Sequence, residues 1–148
     1  MERRDVRARI HLDVVTPQKI EFSKEVDMVV APGYDGYLGI LPSHIPMMTR
    51  LRIGTLKIYD GEEEINMAVS EGYMEVTGEN IIILAEAAEL PEEIDVERAL
   101  AAKRRAEERL AALAAWDVKA LKAQASLQRA LNRLKVAGKA KNKFAERE

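Results

Sequence analysis

After Leu90-Pro91 the hydrophobic rhythm of this sequence changes from a period of two to a period of three or four. A period of two puts apolar side chains on one face of a strand, whereas a period near 3.6 puts them on one stripe of a helix. A chain split this way predicts an α+β protein in two parts. Residues 1–90 read as an antiparallel β-sandwich, with strands between about residues 8 and 88, and residues 91–148 as an antiparallel two-helix hairpin with a charged tail.

Alternation carries the first part. Ile10, Leu12 and Val14 are separated by His11 and Asp13, and Val26, Met28 and Val30 repeat the pattern. Leu56 and Ile58 form another set, as do Ile65, Met67 and Val69. Such alternation marks half-buried strands. The unbroken run Ile81-Ile82-Ile83-Leu84 reads as a strand buried on both faces. Thr16-Pro17, Asp60-Gly61 and Thr77-Gly78-Glu79-Asn80 supply turns between these runs. Many short strands at this spacing suggest a small sandwich or barrel.

Strong helix formers fill the second part. Asp95 is placed to cap the first helix, because its carboxylate can accept from the free amides of the first turn. Val96, Ala99, Ala106, Leu110 and Leu113 share a stripe. Trp116-Asp117 marks a break, with Asp117 capping a second helix striped by Ala120, Ala123, Leu127, Leu131 and Leu134. Gly138 suits the left-handed position that ends it. The short connection makes the helices antiparallel. Their narrow, alanine-rich stripes bury little area, so the hairpin needs a surface to dock on.

Bulk properties exclude several functions. Net charge is −2, unlike the markedly basic balance of most nucleic-acid binders. There are no cysteines, which removes disulfides and thiolate metal sites. No apolar run approaches the roughly 20 residues that span a bilayer. Met1 to Arg9 is charged and lacks the apolar core of a signal peptide, so a soluble, unexported chain is expected. Only His11 and His44 are histidines, and no nucleophile–base order or metal spacing stands out.

Between two strands lies Gly33-Tyr34-Asp35-Gly36-Tyr37-Leu38-Gly39-Ile40-Leu41-Pro42-Ser43-His44-Ile45-Pro46. Its glycines and prolines predict a rigid, shaped loop able to serve as a docking surface. It is not a phosphate loop, since no Lys-Ser/Thr follows and no helix starts there.

Gly36 to His44 resembles the Gly-x-Leu-Gly-Ile-Leu-Pro-x-His segment of the epsilon subunit of F-type ATP synthases. Leu12-Asp13-Val14-Val15-Thr16-Pro17 is similar to that family's first strand and turn, and Val69-Ser70-Glu71-Gly72-Tyr73 to its Val-Ser-x-Gly-Phe strand. Ala85-Glu86-Ala87-Ala88-Glu89 resembles the end of its sheet, and Asn132-Arg133-Leu134 part of its second helix. The motifs follow in order along nearly the whole chain. Glu71 departs from the pattern, standing where glycine is common.

The resemblance implies a non-catalytic rotor subunit of the central stalk, with a sandwich that contacts the gamma subunit and the c-ring. Gly39, Ile40, Leu41, Pro42 and His44 are the implied docking residues. The arm is implied to regulate ATP hydrolysis, either folded on the sandwich or extended toward the alpha and beta catalytic subunits. The expected location is peripheral, at the cytoplasmic face of the cell membrane, held through the complex.

Some bacterial members bind ATP through an Ile/Leu-Asp-x-x-Arg-Ala motif, present here as Ile94-Asp95-Val96-Glu97-Arg98-Ala99. The resemblance adds Glu89 upstream and Arg105, Arg129 and Arg133 downstream. The spacing is consistent with this. Arg98 and Arg105 share one helix face, Arg129 and Arg133 share another, and an antiparallel hairpin sets the pairs at similar levels. Guanidinium forks suit phosphate oxygens. ATP is thus expected as a regulatory ligand, with no cofactor required. The alternative is a free-standing adaptor whose hairpin binds a partner helix.

Overall fold

The computed structural model describes residues 8–145, with side chains described as far as residue 138. The charged N-terminal stretch and the basic tail therefore lie largely outside the described residues. Ten strands come first: β1 Ile10–Val15, β2 Ile20–Val26, β3 Met28–Gly33, β4 Gly36–Ile40, β5 Met47–Leu51, β6 Gly54–Asp60, β7 Glu63–Val69, β8 Gly72–Thr77, β9 Asn80–Ala85 and β10 Ala88–Glu89. A short 3-10 turn, Pro91–Glu93, leads into α1 Val96–Ala112 and α2 Val118–Ala145.

The strands hydrogen-bond in the order β10-β7-β6-β3-β5-β8-β9-β1-β2, and β4 also pairs with β3. The path turns a corner where β3 meets β5 through the single pair Gly33 and Leu51. On either side of that corner the inward faces meet in one core. Ile10, Leu12, Val14, Val29, Leu56, Ile58, Met67, Met74, Ile81 and Ile83 belong to it. Burying each such large side chain stabilises the fold by about 1.5–3 kcal/mol. Every pair is antiparallel except β1 with β9, which runs parallel.

The expected turns close two hairpins. Asp60 pairs with Glu63 across Gly61, whose φ is 64°. Thr77 pairs with Asn80 across Gly78. Asp95 caps α1, its carboxylate accepting from the Arg98 amide at 3.1 Å. Asp117 caps α2 in the same way, accepting from the Lys119 amide at 2.9 Å.

Five local readings are corrected by the tertiary structure. Val26, Met28 and Val30 do not form one inward set. The chain bends at Asp27, whose carboxylate accepts from the Gly61 amide at 2.6 Å, and the buried positions shift to Val29 and Ala31. The run Ile81–Leu84 is buried on one face only, with Ile82 37% and Leu84 54% exposed. The strand covered on both faces is β7, where Asn66, Met67, Ala68 and Val69 are all buried, because α2 and the 3-10 turn lie over its outer side. The segment 33–46 is not a continuous loop, since β4 occupies its middle and pairs with β3 as a hairpin. Helix α2 does not stop at Gly138 but continues to Ala145, carried by alanines and lysines that favour the helix by more than one glycine opposes it. On α2, Leu131 is exposed, while Ala130, Val136 and Ala137 are buried instead.

A charge cluster ties the far edge of the sandwich together. The Arg9 guanidinium pairs with Asp60 and donates to the Glu25 carbonyl at 2.7 Å. The Lys24 ammonium sits 2.7 Å from the other Asp60 oxygen. The hydrogen bond from Lys24 holds the Asp60 carboxyl below the usual carboxylate range, helped by the Arg9 charge.

Candidate functional site

The arm lies against the outer face of β6 and β7, and a row of polar contacts on one side of α2 joins it to the sheet. Asn132 and Arg133 stand three and four residues after Arg129, so all three share a face. Arg133 Nε donates to Glu89 Oε1 at 2.7 Å, a half-buried pair. Asn132 donates through its amide nitrogen to the Gly54 carbonyl at 2.7 Å. Its amide oxygen accepts from the Thr55 hydroxyl at 3.1 Å. Arg129 donates to Glu71 Oε1 at 3.2 Å. One turn further along, Val136 and Ala137 pack on Ala68 and Ile94 in a small apolar cluster. The polar contacts set the register of the arm on the sheet, and the apolar cluster supplies contact area.

Glu89, Arg129 and Arg133 line one narrow cleft with Asn132, Ser70 and Ala87. Its free volume is about 10 Å³, roughly one water. The cleft itself therefore has no room for a triphosphate. Arg98 and Arg105 are exposed on α1 and do not line the cleft. Asp95 is exposed and already serves as the helix cap. Ala99 is buried between the helices, where its small side chain permits close approach.

Asn132, Thr55 and Glu71 were not among the expected site residues. A signal existed for Asn132: it is a poor helix former inside a stretch of alanine, leucine and arginine. Glu71 was visible as a departure from a family pattern, but its partner lies 58 residues away.

The expected docking residues are split by the fold. Ile40 is fully buried in the core and shapes the strand rather than presenting a contact. Gly39 and Leu41 are exposed, while Pro42 and His44 are half-buried. Ser43 holds a positive φ of 67°, and the His44 amide donates to the Leu41 carbonyl at 3.2 Å. His44 Nδ1 lies 2.7 Å from the Ile45 carbonyl. The ordered turn projects Leu41 and Ile45 outward beside exposed Met48 of β5. Among the described residues, no group of acidic, histidine or cysteine side chains could hold a metal, and no helix is long and apolar enough to cross a membrane.

Both parts of the chain match known families. Residues 9–91 match the family described as the ATP synthase delta/epsilon chain, beta-sandwich domain. Residues 92–138 match the ATP synthase delta/epsilon chain, long alpha-helix domain. An ATP synthase epsilon chain of Desulforamulus reducens is 50% identical over 126 residues, covering 85% of this chain and 95% of that one. Its counterpart from Dehalococcoides mccartyi is 48% identical over 132 residues, covering 89% and 94%. A chain in the cryo-EM structure of the Euglena gracilis mitochondrial ATP synthase (OSCP, F1 and c-ring) shares the fold, with a TM-score of 0.69 and 22% identity over 82% of this chain and 76% of that one.

Proposed function

This chain belongs to the delta/epsilon family of ATP synthase chains, matched over both its sandwich and its helices, and on that premise we propose that it is a non-catalytic rotor subunit of the central stalk whose arm regulates ATP hydrolysis. The sandwich would mount on the gamma subunit and the c-ring, linking ATP synthesis to proton transport. The turn that presents Leu41 and Ile45 beside Met48 of β5 is a suitable contact. The complex would hold the chain peripherally at the cytoplasmic face of the membrane.

One observation carries the regulatory reading: the arm is held on the sheet by polar groups and one small apolar cluster, which can part without opening the core of the sandwich. Arg133 leaves Glu89, Asn132 leaves Gly54 and Thr55, and Arg129 leaves Glu71. The apolar cluster under the arm is small. An arm so attached can exchange between a docked position and one extended toward the alpha and beta subunits. ATP, as a regulatory ligand on Arg98, Arg105, Arg129 and Arg133 with Glu89 and Asp95, would favour the docked arm. A ligand at about 100 times its dissociation constant contributes about 2.7 kcal/mol, enough to tip such a balance.

The test is calorimetric titration of ATP into the purified full chain. Binding that weakens at least tenfold in the double variant Arg98→Ala, Arg133→Ala is expected. No heat of binding up to about 10 mM ATP, a free energy weaker than about −3 kcal/mol, refutes the ligand. Co-purification with the gamma subunit and the c-ring checks the stalk assignment separately. The match to both parts of the chain leaves the adaptor reading without an observation in its favour.

A further inference from the structure

Glu71 occupies the bend between β7 and β8, and that bend is rigid. Its carbonyl accepts from the Glu86 amide at 3.1 Å. The Ser70 amide beside it donates to the Ala87 carbonyl at 3.0 Å, and the Ser70 hydroxyl accepts from the Ala87 amide at 2.7 Å. On the other side, a Cβ at Gly72 would lie 2.0 Å from the Leu84 carbonyl oxygen, so only glycine fits this close approach of the two strands. That backbone anchors the side chain beside the arm, and its carboxylate lies 3.2 Å from Arg129 Nη2.

That place adjoins the mouth of the cleft lined by Arg129, Arg133 and Glu89. A carboxylate and a phosphate seek the same guanidinium donors. We infer that Glu71 is an internal rival of the anionic ligand at Arg129 and lowers the affinity of the arm for ATP. The inference rests on the nucleotide reading above. The opposing role, a latch that helps binding by holding the arm down, is the weaker one. Glu71 is 54% and Arg129 37% exposed, and ion pairs this exposed hold little. The more enclosed Arg133–Glu89 pair, Asn132 and Val136 hold the arm without it. A negative charge a few ångströms from a triphosphate, by contrast, repels it directly.

The two roles predict opposite signs. Full-length wild type, Glu71→Gln, Arg129→Gln and the double variant are titrated with ATP by calorimetry at about 0.1 M salt. Glu71→Gln is expected to bind about fivefold more tightly, the effect of removing one charge near the phosphates through water-like screening. In the Arg129→Gln background the same change should improve affinity by a smaller factor, because the competition for that guanidinium is gone while the direct repulsion remains. Unchanged or weaker binding by Glu71→Gln, beside a wild type that binds, overturns the rivalry and leaves the nucleotide site standing. Binding by Glu71→Gln where the wild type shows none supports it. No binding by either chain overturns both.

Discussion

Replacing Asn132 with alanine should release the arm while leaving the sandwich folded. Asn132 makes two bonds to the sheet, 2.7 Å to the Gly54 carbonyl and 3.1 Å from the Thr55 hydroxyl. Each is worth about 1 kcal/mol net. The truncation also leaves the Thr55 hydroxyl without that acceptor at a position only 2% exposed. An orphaned polar group in such a place adds about 1 kcal/mol or more. The total, about 2–3 kcal/mol, corresponds to a roughly 30- to 150-fold shift toward the undocked arm. Native-state hydrogen exchange reads it directly. Amides of α1 and α2, whose narrow apolar stripes support little structure once undocked, should exchange faster by that factor. Amides of β8 and β9, in the core across the sandwich, should be unchanged. Thr55→Val completes a double-mutant cycle, with an expected coupling of about 1 kcal/mol. Arm exchange accelerated less than threefold in Asn132→Ala would refute the view that this side chain fixes the arm.

Three further outcomes follow from the same geometry. Val136→Ala opens a cavity under the docked arm at a fully buried site and should weaken docking by about 2 kcal/mol, measurable by the same exchange of α2 amides. Gly72→Ala drives a methyl into the Leu84 carbonyl and should destabilise the sandwich by about 3 kcal/mol or more in urea unfolding. Asp60 has a folded pKa below its unfolded value because of Lys24 and Arg9, so its contribution is present above the ordinary carboxylate pKa and is lost as pH falls through the folded one. The stability gap between wild type and Asp60→Asn should therefore be level above about pH 5 and shrink as pH drops below about 4, followed by urea unfolding at each pH.

Local rules determined much of this protein. The change of period at Leu90-Pro91 divided strands from helices, and the turns at Gly61 and Gly78 closed the hairpins expected of them. Asp95 and Asp117 capped the helices that follow them. Each of these depends on residues within a few positions, where sequence spacing and spatial distance are nearly the same thing. The arginine pattern on α2 was equally legible, but the partners of those arginines were not.

Which faces are covered was decided only by the fold. The run Ile81–Leu84 is the most apolar stretch of the chain, yet its outer side is uncovered, while β7, with an asparagine in its middle, is enclosed. Hydrophobicity says that a face prefers to be buried, but only the docking of the arm says which face is. Gly138 shows the same limit, because a residue able to end a helix need not do so when its neighbours favour continuing. The contacts that fix the arm join Arg133 to Glu89 across 44 residues and Thr55 to Asn132 across 77. The sequence alone established a β part and a helical arm, and it laid out four arginines in two pairs along that arm. The docking of the arm on β6 and β7 assigned two of those arginines to carboxylates and made Asn132 the residue that sets its register. Those pairings arise from the packing of two surfaces, and no spacing within either surface encodes them.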